Sequence, residues 1–201
     1  MILAERRYNQ ESYARGIRGA VRALWSGVWT KEEFQLGLMS VFDQGLTAAW
    51  LEGARSVGIE EDEVTSEERA AINNLVWDAY SHTDGWAMSI MANSKANGGK
   101  LAPHLTRAQT WVNLYPATVS RARTVAKTNP KLAWNLGATE VHCSSCLKLA
   151  GKVKRANYWR EKGILPRQPG APYLECRGYN CDCTLAPTDE SLSKGRLPSL
   201  P

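Results

Sequence analysis

The sequence has no long apolar run and no apolar leader. None of its 201 residues lie in an uninterrupted apolar stretch of about eighteen, the length that a membrane-spanning helix needs. The N-terminal residues carry charges where a signal peptide has its apolar segment. We therefore expect no membrane span and a protein that stays in the cytosol where it is made, with reduced cysteines. The hydrophobic content of 43% is high enough for a buried core.

The sequence also lacks any arrangement of residues that is typical of an active site. It has three histidines, of which His82 and His104 are isolated from other candidate catalytic residues. There is no nucleophile paired with a base, no pair of carboxylates and no metal-ligand pattern with an open coordination position. We therefore predict that the protein is not an enzyme.

Cysteine is absent up to position 142, and all five cysteines of the chain follow in its last third. An odd number leaves one thiol unpaired in any scheme made only of disulfides. Cys143 and Cys146 have the CxxC spacing that lets two thiolates leave one tight turn and reach the same ion. Cys176, Cys181 and Cys183 form a second dense source of thiols. A shared metal ion therefore explains the clustering better than disulfides do.

Zinc is the metal that this pattern favours, because thiolate-rich tetrahedral sites suit it and can close a small module that lacks a large core. We predict a closed, structural zinc site with Cys143, Cys146, Cys181 and Cys183 as ligands and Cys176 as an alternative ligand. His142, beside Cys143, is a weaker candidate. The alternative is a pair of disulfides with one free thiol.

Before the cysteines, apolar residues recur at helical spacing in about four long stretches. Thr30 with Glu33, and Thr65 with Glu68, have the spacing of capping boxes, which mark helix starts. Further boundaries are indicated by turn-forming or helix-breaking residues. The four stretches run from Glu5 to Trp25, from Thr30 to near Gly58, from Thr65 to the Asn97-Gly98-Gly99 turn with a bend near Gly85, and from near Leu105 to Asn129 with a break near Pro116.

These patterns predict a mainly α fold. Residues 1–130 form a helical bundle of about four long helices, and residues 131–190 form a small, loop-rich, zinc-ribbon-like cysteine module. Residues 191–201 are expected to be a flexible tail. The tryptophans of the bundle are expected to pack in its core, although Trp77 and Trp86 are also candidates for a contact surface with another subunit.

The net charge of +5 resides in the last part of the chain. Up to Pro130 the sequence has fourteen basic and fourteen acidic residues, whereas from Lys131 it has eleven basic and six acidic ones. An excess of basic residues such as this one usually forms a solvent-exposed face of the protein. Its functional interpretation is sequence-independent contact with DNA phosphates. The candidate contact residues are Lys152, Lys154, Arg155, Arg160 and Lys162.

Several short motifs of the last third occur in an order that resembles the Mu F-like minor head proteins of tailed bacteriophages. The resemblance covers residues from about Lys131 to Pro187, roughly a third of the chain. The motifs that carry it are Trp134-Asn135-Leu136-Gly137, His142-Cys143 to Cys146, Gly151, Trp159, Gly163-Ile164-Leu165-Pro166 and Cys181-Asp182-Cys183-Thr184-Leu185.

The chain departs from the family pattern in its last cysteine motif. Where the family typically has His-Pro-Asn-Cys-Arg-Cys, this chain has Gly178-Tyr179-Asn180-Cys181-Asp182-Cys183, with Cys176 upstream. If Cys176 takes the place of the missing histidine, the site is formed by cysteines alone, and either Cys181 or Cys183 lies outside it.

The resemblance implies a minor structural component of the virion that takes part in head morphogenesis or DNA packaging. Its expected location is the virion, after synthesis in the cytoplasm of the bacterial host. Its expected partners are the phage portal or major capsid protein, together with non-specific contact to packaged DNA. The alternative is a zinc-containing DNA-binding regulatory protein, which would need a basic recognition helix near the cysteines. Pro166, Pro169, Gly170 and Pro172 disfavour such a helix.

Overall fold

The computed structural model describes residues 8–138, 141–179 and 181–201, which form two compact units. The first, here called the helical unit, contains residues 8–49 and 65–115. The second, the cysteine unit, contains residues 50–64 and the described residues from Pro116 to Pro201. No helix of the described residues is long and apolar enough to cross a membrane.

The described residues form a mainly α fold, as the sequence predicts. The α-helices are α1 (Gln10–Ser26), α2 (Lys31–Arg55), α3 (Ser66–Ser81), α4 (Thr83–Ala92), α5 (Ala102–Val112), α6 (Leu114–Val125), α7 (Ser144–Leu149) and α8 (Ala156–Glu161). Short 3₁₀ turns occur at Glu61–Glu63 and Lys95–Asn97. The strands are β1 (Lys131–Asn135), β2 (Val153–Arg155) and β3 (Thr184–Pro187).

The four predicted helical stretches are present, but the third and fourth are each divided in two. The third breaks at His82, close to the predicted bend, where the Thr83 hydroxyl donates to the carbonyl of Tyr80 at 2.8 Å. The fourth breaks at Asn113, so that Pro116 falls in the first turn of α6. A proline is tolerated there because the amides of the first turn have no intrahelical acceptor. The predicted start at Glu5 lies outside the described residues.

Both predicted capping boxes are present at helix starts. The Glu33 carboxylate accepts from the Thr30 amide at 2.8 Å, and the Thr30 hydroxyl accepts from the Glu33 amide at 3.2 Å. Thr65 and Glu68 exchange the same two hydrogen bonds at 3.0 and 3.2 Å. These bonds satisfy amides that the first helical turn would otherwise leave unpaired.

The core of the helical unit is built around aromatic side chains. Trp86 and Trp111 stack with ring centroids 4.0 Å apart, and Phe34 meets Trp86 edge-on at 5.5 Å. The buried Tyr13 hydroxyl donates to the carbonyl of Trp111 at 3.1 Å. Trp86 is fully buried and belongs to this core, whereas the side chain of Trp77 is 59% exposed.

The cysteine unit contains a three-stranded antiparallel sheet in the order β2-β1-β3. In β1, Ala133 lies opposite Val153 of β2 and Ala186 of β3. The sequence predicts a loop-rich module here without locating any strand, because strands of three to five residues are too short to show an alternating pattern. The sheet, α7 and α8 enclose a small core that includes Leu132, Trp134, Cys146, Leu149, Trp159, Ile164, Leu174, Cys181, Cys183 and Leu185.

Residues 191–201, for which the sequence predicts a flexible tail, belong to the cysteine unit and pack against the rest of it. The ammonium of Lys154 donates to the carbonyls of Ser193 and Gly195, each at 2.7 Å. Leu197 and Leu200 pack against the core of the unit. The polar, glycine-containing and proline-containing composition suggested a solvated segment, but lysines distant in sequence satisfy its carbonyls.

Candidate metal centre

The five cysteines come from two segments of the cysteine unit. Cys143 caps α7 and Cys146 lies in its first turn, where the Cys146 amide points to the Cys143 Sγ at 3.5 Å. Cys176, Cys181 and Cys183 lie in the irregular segment that leads to β3. The short helix therefore presents two thiols on one turn, and the segment before β3 supplies three more.

The thiols form two groups of three that share Cys146. One group is Cys143, Cys146 and Cys176, and the other is Cys146, Cys181 and Cys183. Within each group the Sγ atoms all lie within 4.8 Å of one another, and those of Cys146 and Cys181 are 3.9 Å apart. This cluster can hold a metal ion. His142, the weaker candidate ligand, belongs to neither group.

All five cysteines are free thiols that form no disulfide, and three of them are buried. The 3.9 Å between the Cys146 and Cys181 sulfurs is well beyond a disulfide bond of about 2.05 Å. Cys146, Cys181 and Cys183 are buried, whereas Cys143 and Cys176 are partly exposed. The cluster thus has a buried side and a side that solvent can reach.

Crowding of the thiols changes their protonation. Hydrogen bonds from the Cys146 and Cys183 side chains hold the pKa of Cys181 well below its usual range. Hydrogen bonding to Cys181, followed by that to Cys183 and by burial, raises the pKa of Cys146 well above it. Burial raises the pKa of Cys176 to about 12. Like charges at this separation oppose each other's ionisation, so several thiolates in this cluster disfavour one another. A bound metal ion removes this obstacle.

Glu175 links α7 to the segment that carries Cys176. Its carboxylate accepts from the Ser144 amide at 2.8 Å and from the Ser144 hydroxyl at 2.7 Å. In return the Glu175 amide donates to the Ser145 hydroxyl at 3.0 Å. The Ser144 bonds hold the pKa of the Glu175 carboxyl below its usual range. These hydrogen bonds in both directions, here called the Glu175–Ser144 clamp, hold Cys176 beside the CxxC turn. The sequence does not reveal them because the partners are about thirty residues apart.

Arg167 positions the second pair of cysteines. Its guanidinium donates to the carbonyl of Cys183 at 3.1 Å and to the carbonyl of Asp182 at 2.7 Å. The backbone of Gly178 packs against that of Gln168 so closely that any Cβ at this position would collide with the Gln168 carbonyl. Gly178 also has a φ of 75°, which favours glycine. Both features hold the segment that carries Cys181 and Cys183 near residues 167 and 168.

The structure places the candidate DNA-contact residues in different environments. Lys154 is 8% exposed, and its ammonium also lies 5.3 Å from the centre of the Tyr158 ring. The expectation that Lys154 contacts phosphates is therefore wrong, since this ammonium is bound to backbone carbonyls. Arg155 is exposed, but donates to the carbonyl of Asn129 at 3.2 Å. Arg160 and Lys162 are exposed, and Lys152 is partly exposed.

Comparison of the chain with protein-family models, with curated protein sequences and with solved structures gives no match.

Proposed function

We propose that the protein is a minor structural component of a tailed-phage virion that takes part in head morphogenesis or DNA packaging. The observation that supports this proposal best is the convergence of the motifs that resemble Mu F-like proteins. These motifs are up to about fifty residues apart along the chain, yet their apolar and cysteine side chains belong to one small core. The members of that core include Trp134, Cys146, Trp159, Ile164, Cys181 and Leu185. The motifs that carry the resemblance therefore build one common core, as we expect of motifs that belong to a single conserved module.

We further propose that the cysteine cluster holds one structural zinc ion. A tetrahedral site with four zinc–sulfur bonds of about 2.3 Å has sulfur–sulfur edges of about 3.8 Å. The Cys146–Cys181 separation of 3.9 Å matches that edge. The candidate ligands are Cys143, Cys146, Cys181 and Cys183, with Cys176 as a replacement for either of the last two, and each of these sets contains the shared Cys146. With four thiolates bound, the ion has no position for a reacting water, which agrees with a structural role.

The proposed division of roles assigns protein contact to the helical unit and weak nucleic-acid contact to the cysteine unit. The exposed apolar side chains of the helical unit include Leu36, Trp77 and Met88, a composition that suits contact with the portal or major capsid protein. Arg160 and Lys162 of the cysteine unit are exposed and suit contact with phosphates of packaged DNA.

The test is the protein content of purified, DNA-filled heads of a phage that encodes this chain. Quantitative mass spectrometry should find the protein in these heads at a constant, low ratio to the major capsid protein, and washing with high salt should not remove it. A zinc-containing DNA-binding regulator would be abundant in the infected cell and absent from the washed heads. That outcome would overturn the proposal.

A further inference from the structure

We propose that a cleft on the cysteine unit binds a nucleotide unit, with its base against tyrosine rings and its phosphate on two cations. This cleft shares no residue with the cysteine cluster and has a volume of about 650 Å³. Binding sites for small molecules typically have volumes of about 300–1,000 Å³. Its lining includes Tyr158, Glu161 and Lys162 at the end of α8, Tyr173, and Arg196 and Leu197 near the end of the chain.

The cleft has one aromatic wall and an apolar floor. Tyr158 and Tyr173 line it, and Tyr173 is 47% exposed. The Tyr173 ring lies over the turn after α8, since a Cβ built on Gly163 would be 3.5 Å from it. Ile164 is buried beneath, and Leu197 packs against the same core. Aromatic rings beside an apolar floor suit the planar base of a nucleotide, and stacking on such rings does not depend on which nucleobase is bound.

The cations at the cleft are available to a ligand, whereas most neighbouring lysines are not. Lys131, Lys148 and Lys154 each donate to backbone carbonyls of residues 189–199 at 2.6–3.0 Å. Lys162 and Arg196 are exposed, and neither forms a hydrogen bond or ion pair within the described residues. Glu161 is the one acidic side chain of the lining, beside the cations of Lys162 and Arg196. Two cations without a partner among the described residues favour an anionic group such as a phosphate.

The wall formed by the last residues of the chain is fixed to the unit. The Val153 amide donates to the Ser193 hydroxyl at 2.9 Å, and the Ser193 amide donates to the Val153 carbonyl at 2.9 Å. Lys148 holds the carbonyl of Ser199 at 3.0 Å. The cleft is thereby formed before a ligand arrives, which reduces the entropy cost of binding.

A nucleotide unit combines the two features that this cleft offers, a flat base and a phosphate. Duplex DNA offers only its phosphates here, because its bases are stacked inside the helix and do not enter a recess. The nucleotide unit can come from a single strand or from a free nucleotide. The inference goes beyond the proposed function, and its test uses the purified protein, so that it can fail while the protein is still found in heads.

The test is a fluorescence anisotropy titration of the full chain with a labelled oligothymidylate at low salt, with dTMP and a labelled duplex of the same length as further probes. We expect saturable binding of the oligothymidylate, with the duplex at least about tenfold weaker. Competition by dTMP at similar concentration per phosphate would identify a free nucleotide as sufficient, and failure to compete would identify the strand as the source of the ligand.

Two variants and two matched controls locate the binding. Tyr173→Ala and Arg196→Ala should each weaken oligothymidylate binding by about tenfold, since one stacked base or one charged contact is lost. Tyr179→Ala removes a tyrosine that is 49% exposed and outside the cleft, and Lys194→Ala removes an exposed cation of the same segment. Both controls should bind as the parent chain does. The inference is overturned if no nucleotide-containing probe binds, if duplex binds as tightly as single strand, or if controls and cleft variants lose affinity equally.

Discussion

Cys146 is the residue on which the cysteine cluster depends. Its Sγ belongs to both groups of three thiols, whereas each of the other four cysteines belongs to one. Its burial and its place in the first turn of α7 fix its sulfur between the two groups. The other four cysteines can substitute for one another in part, and Cys146 has no substitute.

We therefore expect Cys146→Ser to lower zinc affinity more than any other single cysteine replacement. The loss should exceed about 100-fold, because neither group of three stays complete without Cys146, whereas Cys176→Ser and Cys183→Ser each leave one complete group and one thiol of the other. Competition with a chromophoric chelator measures both values. Cobalt absorption of each variant provides the control, since four-thiolate sites have an intense charge-transfer band. Equal losses for all five variants would contradict the shared role of Cys146.

At the scale of elements, the end of α2 packs closely against α6 within the cysteine unit. Gly53 lies where a Cβ would collide with the carbonyl of Val119 and would be 2.7 Å from the Cβ of Ala122. Both neighbours belong to a helix and cannot move independently of it. The glycine is thus required by the close approach of the two helices.

Gly53→Ala should destabilise the protein, although alanine is the better helix former. Overpacking costs about 1–3 kcal/mol, and the gain in helix propensity offsets up to about 1 kcal/mol of it. Gly85→Ala is the matched control, because a Cβ there has no atom within 4 Å and α4 should gain stability. Urea unfolding followed by circular dichroism measures both. A stabilised Gly53→Ala protein would mean that the helices separate easily.

At the scale of the whole molecule, the two units depend on different sources of stability. The helical unit has an aromatic core of its own, formed by Trp86, Trp111, Phe34 and Tyr13. In the cysteine unit, the small core includes Cys146, Cys181 and Cys183, so that binding of the proposed zinc ion would be coupled to formation of this core.

Removal of zinc should therefore unfold the region of β1 to β3 and leave α1 to α5 folded. On addition of a strong chelator, far-ultraviolet circular dichroism should retain most of the helical signal, while amide exchange becomes fast in β1, β2, β3, α7 and α8. Re-addition of zinc should restore protection, and magnesium is the matched control because it prefers oxygen ligands. Loss of most helical signal with zinc would contradict this prediction. Acidification should release the ion in the same way, since thiolate ligands must be deprotonated to bind it.

Sequence periodicity was sufficient for the four helical stretches before residue 130, although not for α7 and α8, because caps and apolar spacing are local. Thr30 with Glu33 and Thr65 with Glu68 act over three residues, so their hydrogen bonds could be predicted without knowing the fold. The CxxC turn and the clustering of thiols late in the chain likewise predicted a site that can hold a metal ion. These features need only one stretch of chain or one type of residue.

Contacts between distant residues were decided by the tertiary structure alone. Nothing local to Lys154 shows that its ammonium is buried against the carbonyls of Ser193 and Gly195, and composition alone made the segment after residue 190 look unstructured. The Glu175–Ser144 clamp and the place of Cys146 in both thiol groups are of the same kind. Sequence determines which chemical groups are available and the local structure that carries them. Packing determines which of these groups meet, because burial and backbone hydrogen bonding give groups such as the Lys154 ammonium and the Glu175 carboxylate partners that are distant along the chain.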